Sequence, residues 1–305
     1  MRMSHPAPTP VQYDDLLPHQ SLGSGVPRVI HQVYATKDLP EIIRRNIDQL
    51  KALNPEWEHR LYDDADMADF ISQHYGPTIR AYYERINPKY GASRADFFRY
   101  LLIYRFGGVY LDIKSSLGLP LDTTLHSDEA YILSVWRNGR GERFEGWGRH
   151  PQLKDIGGQE FQQWHIIAAP GHPFLRAVIL GVLRNIDSYN PFRHDTGKTG
   201  VLTVTGPIAY TRAITPLLRS FPHRLLSNHE DLGLVYSIFG STTGREHKSI
   251  FRFHYTELRE PVVRMSGSLG FVWRLLGPLQ IQFKRIREAA LALEKRIPSR
   301  RVLRG

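Results

Sequence analysis

Apolar residues recur at helical spacing through Ile42, Ile43, Ile47, Leu50 and Leu53, which predicts a helix over Asp38–Leu53 ended by Asn54-Pro55. The runs on either side, VIHQVY at 29–34 and EWEHRLY at 56–62, are short and apolar or alternating and read as strands. Asp63-Asp64 opens a short helix through Met67 and Phe70, and a further helix covers roughly Gly76 to Ile86. Later in the chain, Ala130–Trp136 and Gln163–Ala169 read as strands and Phe174–Asp187 as an amphipathic helix. Pro207–Leu218 is a helix opened by Thr205-Gly206-Pro207, and Ile250–Tyr255 is a last strand. The Gly-, Arg- and Trp-rich stretch Arg137–Gly158 has no period and reads as a loop. Strands alternating with helices predict an α/β domain with a mostly parallel sheet.

The stretch Tyr90–Asp122, YGASRADFFRYLLIYRFGGVYLDIKSSLGLPLD, carries the chemistry. Ser93 and Asp96 have capping-box spacing, and Phe97, Leu101, Leu102 and Ile103 supply an apolar helix side. Asp96 and Arg99, three apart, share one face. Gly107-Gly108 stops the helix, and Val109, Tyr110, Leu111 and Ile113 form a buried strand with Asp112 inside it. A carboxylate there is costly unless it binds something. Ligands of open α/β sheets sit beyond the carboxyl ends of strands, which makes Asp112 a site candidate.

Composition adds exclusions. With 305 residues, 41% hydrophobic and 23% charged, the chain can build a sizeable core. It has no cysteine, so a disulfide framework, a thiolate zinc site and a cysteine nucleophile are excluded, in keeping with a reducing, cytoplasmic setting. No apolar run is long enough to span a bilayer, and the proline-rich residues 1–25 read as a flexible leader without the apolar core of a signal peptide. The net charge of +10 is concentrated at one end. Residues 259–305 hold 11 Lys/Arg against 3 Asp/Glu, a net of +8, and the preceding 258 residues hold 29 against 27, a net of +2. Leu279, Phe283, Ile286, Ala290, Leu293 and Ile297 form one stripe, with Lys284, Arg285, Arg287, Lys295 and Arg296 largely off it. This basic amphipathic helix either meets an anionic membrane through residues 272–305, at the inner face, or packs on the domain with its basic side solvated. No nucleic-acid partner is expected.

Five pieces in order resemble glycosyltransferase family 32, the group with a DXD sugar-binding region. They are VPRVIHQVY, LNPEWEHRLYDDADM, ASRADFFRYLLIYRFGGVYLDIKSSLGLPLD, APGHPF and VLTVTGP, and they cover roughly residues 26–258. The resemblance implies a GT-A type, Rossmann-like nucleotide-sugar-binding domain over 26–258, followed by a basic helical segment over 259–305. It also implies a retaining enzyme that moves a hexose from a UDP- or GDP-sugar to a glycan or glycolipid acceptor, in polysaccharide or cell-surface glycan synthesis.

By the same resemblance, Val33 and Tyr34 would hold the base, Asp96 the sugar hydroxyls, and Arg99 the sugar or phosphates. Asp112 would meet the ribose and a divalent metal, manganese or magnesium. Thr205 and Gly206 would line the donor or acceptor with free backbone N–H groups. Tyr34 as a core aromatic, and Thr205-Gly206 as a plain cap, are the bland alternatives. The chain departs from the motif at Lys114, which stands where a second carboxylate grips the metal. Three readings follow. A metal is held by Asp112 with His247 or His254; Lys114 itself supplies the positive charge in catalysis; or the chain is a degenerate sugar-nucleotide- or glycan-binding protein.

Overall fold

A computed structural model describes residues 12–239 and 256–296. The strands are β1 (Val29–Val33), β2 (Glu58–Tyr62), β3 (Gly108–Leu111), β4 (Ser116–Leu117), β5 (Tyr131–Ser134), β6 (His165–Ala168), β7 (Arg224–Leu226) and β8 (Leu234–Val235). The α-helices are α1 (Tyr13–Leu16), α2 (Glu41–Leu53), α3 (Asp64–Arg85), α4 (Gly91–Phe106), α5 (Leu121–Thr124), α6 (Pro173–Asp187), α7 (Pro191–His194), α8 (Gly197–Val204), α9 (Pro207–Ile214) and α10 (Gly267–Arg296). Six strands form one sheet in the order β2-β1-β3-β6-β5-β7, with β4 and β8 paired separately. Only β6 runs against its neighbours; β1 is parallel to β2 and β3, and β5 to β7. The fold is therefore the mostly parallel α/β sheet expected from the strand–helix alternation.

Strand alternation gives the sheet two cores. Ile30, Val109, Leu111, Ile132 and Ile167 face Leu50 of α2, Trp57 and Trp136. Tyr110, Tyr131, Leu133, Ile166 and Ala168 face the helical layer of α3, α4, α6, α8 and α9. In α4 every residue from Phe97 to Tyr104 is buried, so this helix is enclosed on all sides rather than along one apolar stripe. Burial of Leu101, Leu102 and Ile103 stabilises the fold by about 1.5–3 kcal/mol each.

Local chemistry sets the element boundaries. Pro40 sits at the N-cap, so α2 begins at Glu41 rather than Asp38. The two helices expected on either side of Gly76 are both present, broken by its φ of 74°. The capping box expected at Ser93 does not form: Tyr90 is the N-cap of α4, Ser93 Oγ is buried without a partner, and Asp96 is bonded elsewhere. Gly107 and Gly108 have φ of 66° and 100°, and a Cβ at Gly107 would lie 2.6 Å from Pro170 Cδ. The pair is structural: it ends α4 and lets β3 start against its neighbours.

Two assignments at the ends of the chain change. Residues 12–25, read as part of a leader, include α1 and the buried Leu17, and Tyr13 Oη donates to Asp187 at 2.7 Å. Residues 259–265, placed with the basic segment, are stitched into the body. Val262 and Val263 are buried, Tyr90 Oη donates to the Glu260 carbonyl at 2.6 Å, and Arg264 N donates to the Arg85 carbonyl at 2.7 Å. The expected strand Ile250–Tyr255 lies outside the described residues. So do residues 1–11 of the leader.

Candidate functional site

The sheet order places β2 on one side of β1 and β3 on the other, so chain direction across the sheet reverses between β1 and β3. That is the switch point at which open α/β sheets bind ligands, beyond the strands' carboxyl ends. Val33 ends β1 and Asp112 follows directly on β3. The carboxylate is thus one step past the strand, not within it. Its backbone is pinned by Asp112 N donating to the Trp164 carbonyl at 2.8 Å, and Gln32 Nε2 donates to the Asp112 carbonyl at 3.3 Å.

Beneath Asp112 lies a buried cluster. Arg99 Nη2 is 3.0 Å from Asp112 Oδ1 and 3.2 Å from Asp96 Oδ1. Arg99 Nη1 donates to both the carbonyl and Oε1 of Gln163, each at 2.8 Å, and the guanidinium lies 4.4 Å from the centre of the Tyr110 ring. Asp96 also accepts from Gln163 Nε2 at 3.1 Å and from Thr205 Oγ1 at 3.0 Å. The helical i, i+3 spacing of Asp96 and Arg99 therefore does bring them together. The side chains of Asp96 and Arg99 are 4% and 5% exposed, and that of Asp112 is 25% exposed. Burial pushes the Asp96 carboxyl up, partly offset by Arg99. For Arg99 burial alone would lower the pKa, but Tyr110, Asp112 and Asp96 together outweigh it and hold the cation firmly charged. Asp96 and Arg99 thus spend their hydrogen bonds on the protein, and Asp112 is the member of the cluster that solvent reaches.

The residues after Asp112 do not continue the strand. Ser115 N donates to the Asp112 carbonyl at 2.8 Å, closing a turn with Ile113 and Lys114 at its centre. The short β4–β8 pairing then returns the chain, and Ser115 Oγ donates to the Tyr236 carbonyl at 2.9 Å. This places Tyr236 against Lys114. Lys114 Nζ donates to Tyr236 Oη at 2.8 Å and lies 4.0 Å from the centre of its ring. Lys114 is 7% exposed, and burial pushes its pKa down to about 8, with Asp112 acting to raise it and Arg99 to lower it.

Tyr236 belongs to an aromatic wall. Trp164, Trp136 and Trp147 meet its ring at centroid distances of 5.4, 5.1 and 5.7 Å. The aperiodic loop that carries Trp147 is built, not loose. Trp136 Nε1 donates to Glu160 Oε1 at 2.7 Å, Asn138 Nδ2 to the Trp147 carbonyl at 2.5 Å, and Leu153 is fully buried. Trp147 itself is 46% exposed.

The other expected residues fall as follows. Tyr34 is half-buried against Ile43, Ile47, Ile113 and Phe239, and its N–H donates to the Tyr62 carbonyl at 3.0 Å. Val33 is buried in the helix-side core. Thr205 is in the cluster through its hydroxyl, but the free backbone N–H groups expected of Thr205 and Gly206 are not there. Both donate to the Val201 carbonyl, at 3.2 and 2.9 Å, because α8 ends in them. Gln163, Tyr110, Tyr236 and Trp164 were missed. Gln163 and Tyr110 lay inside runs read only as strands, and Tyr236 had no sequence signal, since its place depends on β8 pairing with β4.

A divalent cation fits the described residues poorly. The second acidic position is an ammonium turned toward Tyr236, and Asp112 is already paired with Arg99. Among the described residues no group of three or more His, Asp or Glu could hold a metal. His247 and His254 lie outside the described residues.

Parts of the chain are similar to known proteins. An inositol phosphoceramide mannosyltransferase of Schizosaccharomyces pombe is 27% identical over 201 residues, 65% of this chain and 48% of that protein. An initiation-specific alpha-1,6-mannosyltransferase of Candida albicans is 35% identical over 175 residues, 53% of this chain and 44% of that protein. The chain thus spans about half the length of these curated relatives. Among solved structures, the PaToxG glycosyltransferase superposes with a TM-score of 0.46 at 16% identity, over 65% of this chain and 72% of that one. The UDP-bound glycosyltransferase domain of the YGT toxin gives 0.42 at 10% identity, over 72% and 82%. Residues 40–131 match the family described as glycosyltransferase sugar-binding region containing DXD motif, and this segment holds Asp96, Arg99, Asp112 and Lys114.

Proposed function

We propose that the chain is a retaining glycosyltransferase that moves a hexose, with mannose the first candidate, from a UDP- or GDP-sugar to a hydroxyl of a glycan or glycolipid. The observation that carries this reading is the Asp112–Arg99–Asp96 cluster at the β1/β3 switch point, inside the family-matched segment. The relatives' names supply mannose as the sugar, and one supplies inositol phosphoceramide as an acceptor. The product would enter polysaccharide or cell-surface glycan synthesis.

In this reading Arg99 is a positioning residue. With Asp96 behind it, it fixes Asp112, which accepts hydrogen bonds from hydroxyls of the donor. Tyr34, the residue directly after β1, stacks on the base, with the Val33 backbone beside it. During transfer the bond between the anomeric carbon and the diphosphate oxygen breaks, and its electron pair leaves with the nucleoside diphosphate. The acceptor oxygen bonds the same carbon on the face the diphosphate leaves, and its proton passes to the departing diphosphate oxygen, so the configuration is retained. Charge develops on the departing diphosphate, where a fixed cation stabilises most. Lys114 supplies that cation in place of the missing second carboxylate and its metal. Thr205, tied to Asp96, and the half-exposed Trp147 flank the site, and an indole face suits the apolar face of an acceptor sugar ring.

The test is turnover of GDP-mannose and a set of UDP-hexoses by the full chain, with chelator present, against Asp112→Asn. Turnover of one donor that survives chelation and is lost in the variant is the expected result. Binding without turnover of any donor would make the chain the degenerate binding protein that Lys114 also permits. Failure to bind any nucleoside diphosphate would contradict both readings.

A further inference from the structure

Half of the large apolar side chains that the described surface exposes lie on one helix. Phe271, Val272, Leu275, Leu276, Leu279 and Ile286 of α10 are between 38% (Val272) and 62% (Leu279 and Ile286) exposed. At 3.6 residues per turn these six fall within an arc of about 140°. Trp273 lies off that arc and turns inward, its ring 5.1 Å from that of Phe192 on α7. Gly277 is buried under the same indole: a Cβ there would stand 2.7 Å from the Trp273 ring atoms. The helix therefore holds the body with one side and presents leucine, phenylalanine and isoleucine on the other. Monomeric proteins rarely leave a contiguous apolar face of this kind without a use.

We infer that this face of α10 lies on an anionic lipid surface. Three observations select that occupant. Thirty residues make a helix about 45 Å long, yet none of the described helices is apolar enough to cross a membrane, so α10 is suited to lie along a bilayer rather than span it. Beyond the part stitched into the body, residues 266–305 have 9 Lys/Arg against 2 Asp/Glu, the opposite charge to an anionic leaflet. Its apolar arc also lacks any acidic residue between Phe271 and Ile286. An apolar stripe with net positive charge is the composition of an interfacial helix, where buried apolar area and attraction to anionic headgroups add. The inference is independent of the sugar-transfer reading and survives its failure.

The experiment is co-sedimentation of the full chain with phosphatidylcholine vesicles, with and without phosphatidylglycerol. The wild type, Leu275→Glu/Leu279→Glu and Leu275→Ala/Leu279→Ala are compared. Thermal midpoint and sedimentation velocity serve as controls for folding and self-association. Anionic lipid should raise the partition of the wild type by at least about 10-fold, and the rise should shrink with salt. The glutamate pair should remove binding, and the alanine pair should weaken it by at least about 10-fold, at an unchanged thermal midpoint. Equal partition onto both vesicle types, or glutamate-pair binding equal to wild type, overturns the inference. So does a wild-type dimer that the glutamate pair converts to monomer, which would assign the face to a second copy of the chain.

Discussion

Two carboxylates in this molecule are built from the same parts and differ in what they leave open. Asp187, at the end of α6, accepts from Tyr13 Oη at 2.7 Å and Tyr82 Oη at 2.6 Å on one oxygen, and from Arg85 Nη1 at 2.5 Å on the other. Asp112 also has an arginine and a tyrosine, but both reach Oδ1: Arg99 at 3.0 Å and Tyr110 Oη at a long 3.4 Å. Asp187 ties α1, α3 and α6 together with both oxygens used. Asp112 stands at a sheet's carboxyl end on a buried, charged foundation with capacity left over. A carboxylate saturated by its own chain is structural, and one held rigidly but incompletely is suited to receive a ligand.

The largest effect expected from breaking this contrast is at Arg99. Arg99→Met leaves Asp96 and Asp112 as neighbouring carboxylates with no cation, one of them deeply buried, and should cost about 3–5 kcal/mol in urea unfolding. Arg85→Met, at a pair 40% and 26% exposed, should cost no more than about 1 kcal/mol. Equal losses would erase the distinction. Next is Asp112→Asn, which should lower transfer by about 10²–10³-fold with little change in stability. Asp187→Asn should do the reverse, lowering the thermal midpoint while turnover per folded molecule stays at the wild-type level. Burial alone would raise the Asp187 pKa, but the bonds from Tyr82, Arg85 and Tyr13 hold it below the usual carboxylate range. Its stabilisation is therefore present above the unfolded carboxylate pKa and lost as pH falls through the folded one, so Asp187→Asn should flatten the acid limb of the stability profile.

A smaller effect is expected at Lys114. Lys114→Met should weaken nucleoside diphosphate binding by about 10-fold, the worth of one charge-assisted hydrogen bond. Because burial lowers the Lys114 pKa to about 8 from its ordinary 10.5, diphosphate affinity of the wild type should fall as pH rises through about 8, and the variant should lack that limb. Stability moves the other way. Below about 8 the full cost of a buried ammonium is present, and between about 8 and 10.5 the folded chain has released a proton that the unfolded chain still binds, so stability rises there. A flat affinity profile would mean that the ammonium does not face the diphosphate.

Much of this arrangement could be read in the sequence, for physical reasons. Asp96 and Arg99 share a helical face, and a strand followed by an acidic residue points beyond a sheet, so local periodicity alone brings Asp112 and Arg99 into one neighbourhood. Sheet order, by contrast, depends on long-range pairing. Nothing local to Leu234-Val235 says that it pairs with Ser116-Leu117, so Tyr236 could not be placed beside Lys114. Helix α8 escaped because its sequence, GKTGVLTV, is poor in helix formers and is held by packing. The Ser93–Asp96 spacing misled because Asp96 has stronger partners in Arg99, Gln163 and Thr205 than an N-terminal amide could offer. At the C-terminal end, composition indicated a basic amphipathic segment, but residues 259–265 proved part of the body because Val262 and Val263 fill its core.

The central claim is that a lysine stands in for the metal at this site. Calorimetric titration of UDP and GDP into the wild type and Lys114→Met, each in EDTA and in manganese, tests it most directly. The account predicts that the wild type binds one of the two nucleotides with the same affinity in EDTA and manganese, and that Lys114→Met binds it about 10-fold more weakly in both. Wild-type binding that appears only with manganese, and is unchanged in Lys114→Met, would contradict it.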